Sequence, residues 1–201
     1  APACDLLIGK VLKNNGDGDD YDIADAIYWA MEQGADIISM SLGGAGSSKP
    51  LFDSIHHALA KGVIVICAAG NDGALFGNGI SCPGFYGGVI TVAAHDHNGN
   101  PTGFSSRGGE LDVMAPGLDI LSTYPDGKYA RLSGTSMATP FVAGLSALIL
   151  AKHRNSASND TPIDNCEDMK THLLRMAAHP NVHDSSSGYG PLLALKYFSS
   201  F

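Results

Sequence analysis

The chain has 201 residues, 44% of them hydrophobic and 16% charged, with a formal net charge of −8. That length is one ordinary domain with room for a real core, and the composition is globular rather than disordered. An acidic chain without a basic cluster is a poor ligand for nucleic acid or an anionic membrane surface, and no apolar run approaches the ~18–20 residues of a spanning helix.

Residues 5–11 read as a strand and 23–32 as a helix with apolar positions at Ile23, Ala26, Ile27 and Ala30. A short strand over 37–41 follows, then an amphipathic helix over 50–61 and buried strands over 63–68 and 89–94. Shorter strands are expected near 111–114 and 120–124, and a long helix from about 136 to 152 whose apolar stretch 141–151 reads as core. A polar linker over 155–161 leads to a helix over 166–176, and the turn Gly188-Tyr189-Gly190 precedes a short closing segment. Continuous β-branched runs separated by helices are what a parallel sheet covered on both faces requires. The predicted class is therefore α/β, doubly wound and mostly parallel, with no internal repeat and no boundary within residues 1–201.

In such sheets functional groups gather at the carboxyl ends of the strands. Two strand ends carry glycine, which lets a ligand backbone approach: Ser41-Leu42-Gly43-Gly44 and Ala68-Ala69-Gly70-Asn71-Asp72-Gly73. A third feature is a small polar turn set against the long apolar run, which puts Ser136 at the start of a buried helix. Unpaired N–H groups and the positive end of the macrodipole favour developing negative charge there, so Ser136 is a candidate nucleophile. Taken alone, Thr135 or Ser136 is as readily a helix cap, and Asn71 a turn asparagine.

The run Gly134-Thr135-Ser136-Met137-Ala138-Thr139-Pro140-Phe141-Val142-Ala143-Gly144 resembles the nucleophile motif of the subtilisin-like serine proteases. The likeness extends over Ala1-Pro2, residues 6–12 and 37–44, Ala68 to Gly73, Cys82-Pro83-Gly84, Phe104-Ser105-Ser106, residues 111–117 and Gly188-Tyr189-Gly190. It implies a serine endopeptidase in which Ser136 attacks the peptide carbonyl while Asn71 and the Ser136 N–H hold the oxyanion. It further implies that Ser41-Leu42-Gly43 and Ala68-Ala69-Gly70 wall the primary specificity pocket. Gly16-Asp17-Gly18 would be an edge strand pairing with an extended protein or peptide substrate. Pro83 would follow a cis peptide bond.

The family's triad also needs an aspartate in an Asp-Ser/Thr-Gly motif and a histidine in a His-Gly-Thr-His motif, and neither occurs in this sequence. None of His56, His57, His95, His97, His153, His172, His179 or His183 has the family's context. The expectation is that the chain is the C-terminal two-thirds of the catalytic domain, inactive until an N-terminal segment of the same enzyme supplies both groups. Without that segment the strand 5–11 would lack a neighbour. The alternative is a catalytically inactive subtilase fold kept as a peptide-binding or assembly module. An unrelated α/β ligand-binding domain would need a phosphate loop, and Gly16 to Gly18 lacks the third glycine.

The acid-rich stretch Asn14-Asn15-Gly16-Asp17-Gly18-Asp19-Asp20 does not fit a calcium-binding EF-hand loop: counted from Asn15, position six is Asp20 and position twelve Ala26. It is either a solvated turn or a rim on which Asp17, Asp19 and Asp20 favour basic residues before the scissile bond. By the resemblance, Glu110 and Asp112 would approach the 84–89 loop and form a weak calcium or monovalent cation site, none being required for the chemistry. Cys4, Cys67, Cys82 and Cys166 lack Cys-x-x-Cys spacing and read as reduced, which points towards an intracellular or virus-like setting; a disulfide at Cys82 stays open.

Overall fold

Four runs of β-branched and small apolar residues build a parallel sheet in the order β1 (Ile37–Met40), β2 (Ile64–Ala68), β3 (Ile90–His95) and β4 (Val113–Pro116) in this computed structural model, which describes residues 1–73, 79–155 and 162–193. The period of two sends Ile64 and Ile66 to one face and Val65 and Cys67 to the other. Helices α1 (Asp20–Glu32) and α2 (Lys49–Ala60) cover the second face through Ile23, Ile27, Leu51 and Ile55. Helices α3 (Thr135–Asn155) and α4 (Cys166–Met176) cover the first through Ala138, Val142, Ile149, Met169 and Leu173. The doubly wound reading is thus realised, with helices on both faces of the sheet and β2 and β3 buried on both.

Local chemistry sets the helix ends. Asp19 caps α1 by accepting from the Tyr21 N–H at 2.8 Å, so this helix begins before the predicted residue 23. Asn165 caps α4 in the same way, accepting from Asp168 N–H at 3.0 Å. Pro50 lies in the first turn of α2, where its missing N–H costs nothing. At 21 residues and mean hydropathy 1.3, α3 is long and apolar enough to cross a bilayer by length and composition. Its buried stripe nevertheless packs along all four strands, which makes it the core helix.

Strands β5 (Ile120–Tyr124) and β6 (Lys128–Leu132) form an antiparallel hairpin beside the main sheet. Asp126 and Gly127 both take positive φ there, 62° and 69°, as a tight hairpin turn demands. The sequence pattern missed β6 because Lys-Tyr-Ala-Arg-Leu is exposed and lacks a clean alternation.

Two expectations need correction. Residues 5–11 form no strand, and Leu6 and Ile8 are 75% and 77% exposed. A strand exists only by pairing, and among the described residues none lies beside this segment. Gly16-Asp17-Gly18 is likewise a turn and not an edge strand. The Lys13 N–H donates to Asp17 O at 2.8 Å, the Gly16 N–H to Lys13 O at 3.0 Å, and only Leu12 and Gly18 bridge.

The Cys82–Pro83 peptide is cis. All four cysteines are free thiols, and burial pushes Cys166 up to about 11 and Cys67 higher as well, which leaves both inert. The linker expected over 155–161 begins where α3 ends, and its residues 156–161 lie outside the described ones.

Candidate active site

The carboxyl ends of β1 and β2 and the start of α3 meet at a cavity of about 460 Å³. Ser136 and Asn71 both line it. So do Ser41, Leu42 and Gly43 from β1's end, Ala68 and Gly70 from β2's end, and Gly16 and Gly18 from the 13–18 turn. Two predicted substrate-binding residues, Ala69 of the pocket wall and Asp17 of the expected edge strand, are absent from it. Ala69 is fully buried, its N–H donating to Val92 O and its carbonyl accepting from Ser81 N–H, because it still continues the ladder to β3. Asp17 points to Asn15 Nδ2 at 2.6 Å instead of into the cavity.

Thr135 orients Asn71. Its N–H and its hydroxyl both donate to Asn71 Oδ1, at 2.9 and 3.2 Å. The amide oxygen is thereby committed, which leaves Nδ2 as the end free to donate to a ligand. Thr135 Oγ1 also accepts from the Gly70 N–H at 3.2 Å, which knits β2's end to the helix. Gly70 must be glycine: its φ is +106°, and a Cβ there would run into Ser81 Oγ. Below it, Ser106 N–H donates to Gly70 O at 2.9 Å and Asp72 N–H to Ser106 Oγ at 3.2 Å, so Phe104-Ser105-Ser106 braces the loop.

Pro140 explains how Ser136 is tied to β1. A proline inside a helix removes the donor for the carbonyl four residues earlier, here that of Ser136. The Ser41 hydroxyl supplies it instead, donating to Ser136 O at 2.8 Å, while Ser136 Oγ donates to Ser41 O at 3.3 Å. The Ser136 N–H, in the first helical turn, has no intrahelical acceptor and sits at the positive end of the dipole.

No histidine, lysine or arginine is among the described residues lining this cavity, whereas Asp20 and Asp72 are. Asp19, expected on the rim, is spent on the α1 cap. Asp72 was not singled out in the sequence, where an Asn-Asp-Gly triplet reads as an ordinary turn. Three of the eight histidines are engaged elsewhere: His56 stacks on Phe52 with centroids 3.8 Å apart, His95 Nδ1 bonds Asp96 O at 2.6 Å, and His183 Nε2 bonds Leu111 O at 2.8 Å.

A serine hydroxyl at a helix start, sharing one cavity with an oriented asparagine on this sheet, accompanies a match of residues 1–190 to the subtilase family. The chain belongs to the subtilase family. It is 47% identical over 154 residues to subtilisin DY of Bacillus licheniformis, covering 76% of this chain and 56% of that protein. Over 152 residues it is 51% identical to an intracellular serine protease of Paenibacillus polymyxa, covering 74% and 46%. The chain therefore spans about half the length of these curated relatives. Among solved structures it is similar to the prenylagaramide maturation protease PagA, with TM-score 0.77, 31% identity, and 91% of this chain and 68% of that one covered.

The cation site implied by the subtilase resemblance falls in a second cavity of about 200 Å³, lined by Gly87, Gly88, Glu110, Asp112, Lys170 and Tyr189 among others. Its donors do not fit a metal ion. Asp112 Oδ1 is 3.0 Å from Lys170 Nζ, and Oδ2 accepts the Thr91 N–H at 2.8 Å. Gly84 O, a candidate carbonyl ligand, accepts from Thr91 Oγ1 at 2.6 Å. Among the described residues no group of three or more His, Cys, Asp or Glu could hold a metal. Burial pushes the Asp112 carboxyl upward, opposed by the charge of Lys170 and the Thr91 N–H.

Proposed function

We propose that this chain carries the nucleophile and oxyanion half of a serine endopeptidase acting on extended protein segments. Ser136 Oγ attacks the scissile carbonyl carbon, and its proton passes to a histidine held by an aspartate, both on a segment outside this sequence. The carbonyl oxygen becomes an oxyanion between Asn71 Nδ2 and the Ser136 N–H. Collapse expels the amine, which takes the proton from the histidine, and leaves an ester on Ser136. Water, deprotonated by the same histidine, then releases the acid and restores the hydroxyl.

The observation that carries this reading is the pairing of Ser136 with Asn71 on one cavity, where Thr135 commits the asparagine oxygen and leaves its N–H₂ to donate. Three further features support a complementary segment. The cavity contains no histidine among its described residues, β1 has one strand neighbour among the described residues, and Leu6, Leu7 and Ile8 stand exposed. The acidic lining, Asp20 and Asp72 with no opposing base, favours substrates with lysine or arginine near the scissile bond.

The test is hydrolysis of extended peptides by the chain with and without a segment bearing the Asp-Ser/Thr-Gly and His-Gly-Thr-His motifs. Cleavage is expected only when both are present, faster for peptides carrying Lys or Arg before the cleaved bond. A folded two-part complex that binds these peptides without cleaving them would instead identify an inactive binding module.

A further inference from the structure

We propose that the Lys170 ammonium is a built-in cation for the second cavity: it occupies the carboxylate of Asp112 permanently, so this cavity takes neither calcium nor a monovalent ion, and removing the amine opens a cation site. Both partners are largely shielded from solvent, with side-chain exposures of 17% for Lys170 and 11% for Asp112. A buried carboxylate is costly in its ionised form unless a positive charge lies beside it, and the alternative is to take up a proton. The chain provides that charge itself, from the middle of α4, next to Met169 and Leu173 in the core.

The remaining chemistry of the cavity agrees. Calcium collects six to eight oxygens, yet here both Asp112 oxygens and the Gly84 carbonyl are already bonded. Glu110 is left as an exposed carboxylate, and His183 has its Nε2 on Leu111 O. Glu167 lies one turn before Lys170 on α4 and adds negative potential at Asp112, which the ammonium also offsets. A second cation entering the cavity would be repelled by the Lys170 ammonium. The ammonium cannot diffuse away, so the junction of α4 with the start of β4 holds at any ionic composition. This inference is independent of peptidase activity.

Tyr86 and Tyr189 line the cavity and can sensitise terbium luminescence, which gives a local readout. The complete protein carrying this chain would be compared as wild type, Asp112→Asn, Lys170→Met and the double variant Lys170→Met/Asp112→Asn, with terbium as probe and melting followed with and without calcium. Wild type and Asp112→Asn are expected to give equal emission. Lys170→Met should gain emission severalfold, lose it again in the double variant, and acquire a calcium-dependent rise in melting temperature. Lys170→Arg should behave as wild type. Emission in the wild type that falls on Asp112→Asn would overturn the proposal, as would a Lys170→Met protein that folds but gains no ion dependence. Should Lys170→Met not fold, Lys170→Gln takes its place, and the wild-type comparison with Asp112→Asn decides independently.

Discussion

At the β4 edge the chain covers its own sheet: the Met114 N–H donates to Gly190 O at 3.1 Å, the Leu192 N–H donates to Met114 O at 3.2 Å, and Lys170 anchors α4 at Asp112. At the β1 edge the cover is missing among the described residues, Ser39 is exposed, and the apolar side chains of Leu6 and Ile8 face solvent. The same sheet therefore has one edge finished by local and long-range contacts and one that presents unpaired backbone. Unpaired strand edges and exposed apolar runs are the usual marks of a surface that another segment covers. The candidate catalytic serine is tied through Ser41 to the carboxyl end of that same edge strand.

The comparison breaks most visibly at Ser136. In the complete enzyme Ser136→Ala should lower kcat by about 10⁶-fold, the scale known for subtilisin's own nucleophile, with melting unchanged. The two edges themselves can be set against each other by calorimetry. Leu173→Ala, in the core on the α4 side, should cost about 2–5 kcal/mol in the isolated chain and in the complete protein alike. Ile8→Ala should stay within about 0.5 kcal/mol in the isolated chain, as exposed sites do, and should cost several-fold more once the segment covers it. Equal small costs in both states would mean that the β1 edge is finished without a partner.

Smaller effects sharpen the picture. Asn71→Leu should reduce kcat by about 10²–10³-fold, or ~2.7–4 kcal/mol, while leaving KM nearly unchanged, the range measured for the oxyanion asparagine of subtilisin. An equal change in KM would point to a role in binding the ground state. At the other end of α3, Arg154 grips Asp36 through both oxygens at 3.0 and 2.6 Å, just ahead of β1. The hydrogen bond from Arg154 holds the Asp36 carboxyl below the usual carboxylate range. Its stabilisation is therefore complete above the unfolded value of about 3.9 and fades as pH falls through the lower folded value. Half-exposed as it is, the pair is worth less than about 1 kcal/mol. Arg154→Ala should accordingly lower melting slightly at pH 6 and not at all near pH 2.

Much of this architecture is written in hydrophobic periodicity. The buried strands and the helices α1 to α4 were legible because each presents a long, regular apolar face, and Asn71 and Ser136 because each belongs to a long motif at a strand or helix end. Residues 5–11 have the composition of a strand, yet composition cannot supply a pairing partner. β6 is a strand by virtue of its turn and its neighbour rather than its own pattern. Thr135 as the orienter of Asn71, and Lys170 as the counter-charge of Asp112, depend on contacts between residues far apart in the chain. No spacing along the sequence encodes either of them.

Reactivity of Ser136 toward a fluorophosphonate, mapped by peptide mass spectrometry, tests the central claim most directly. The expected result is a single adduct on Ser136 when the complementary segment is bound and no adduct on the chain alone. Labelling of the isolated chain, or of a different serine in the complemented protein, would contradict it.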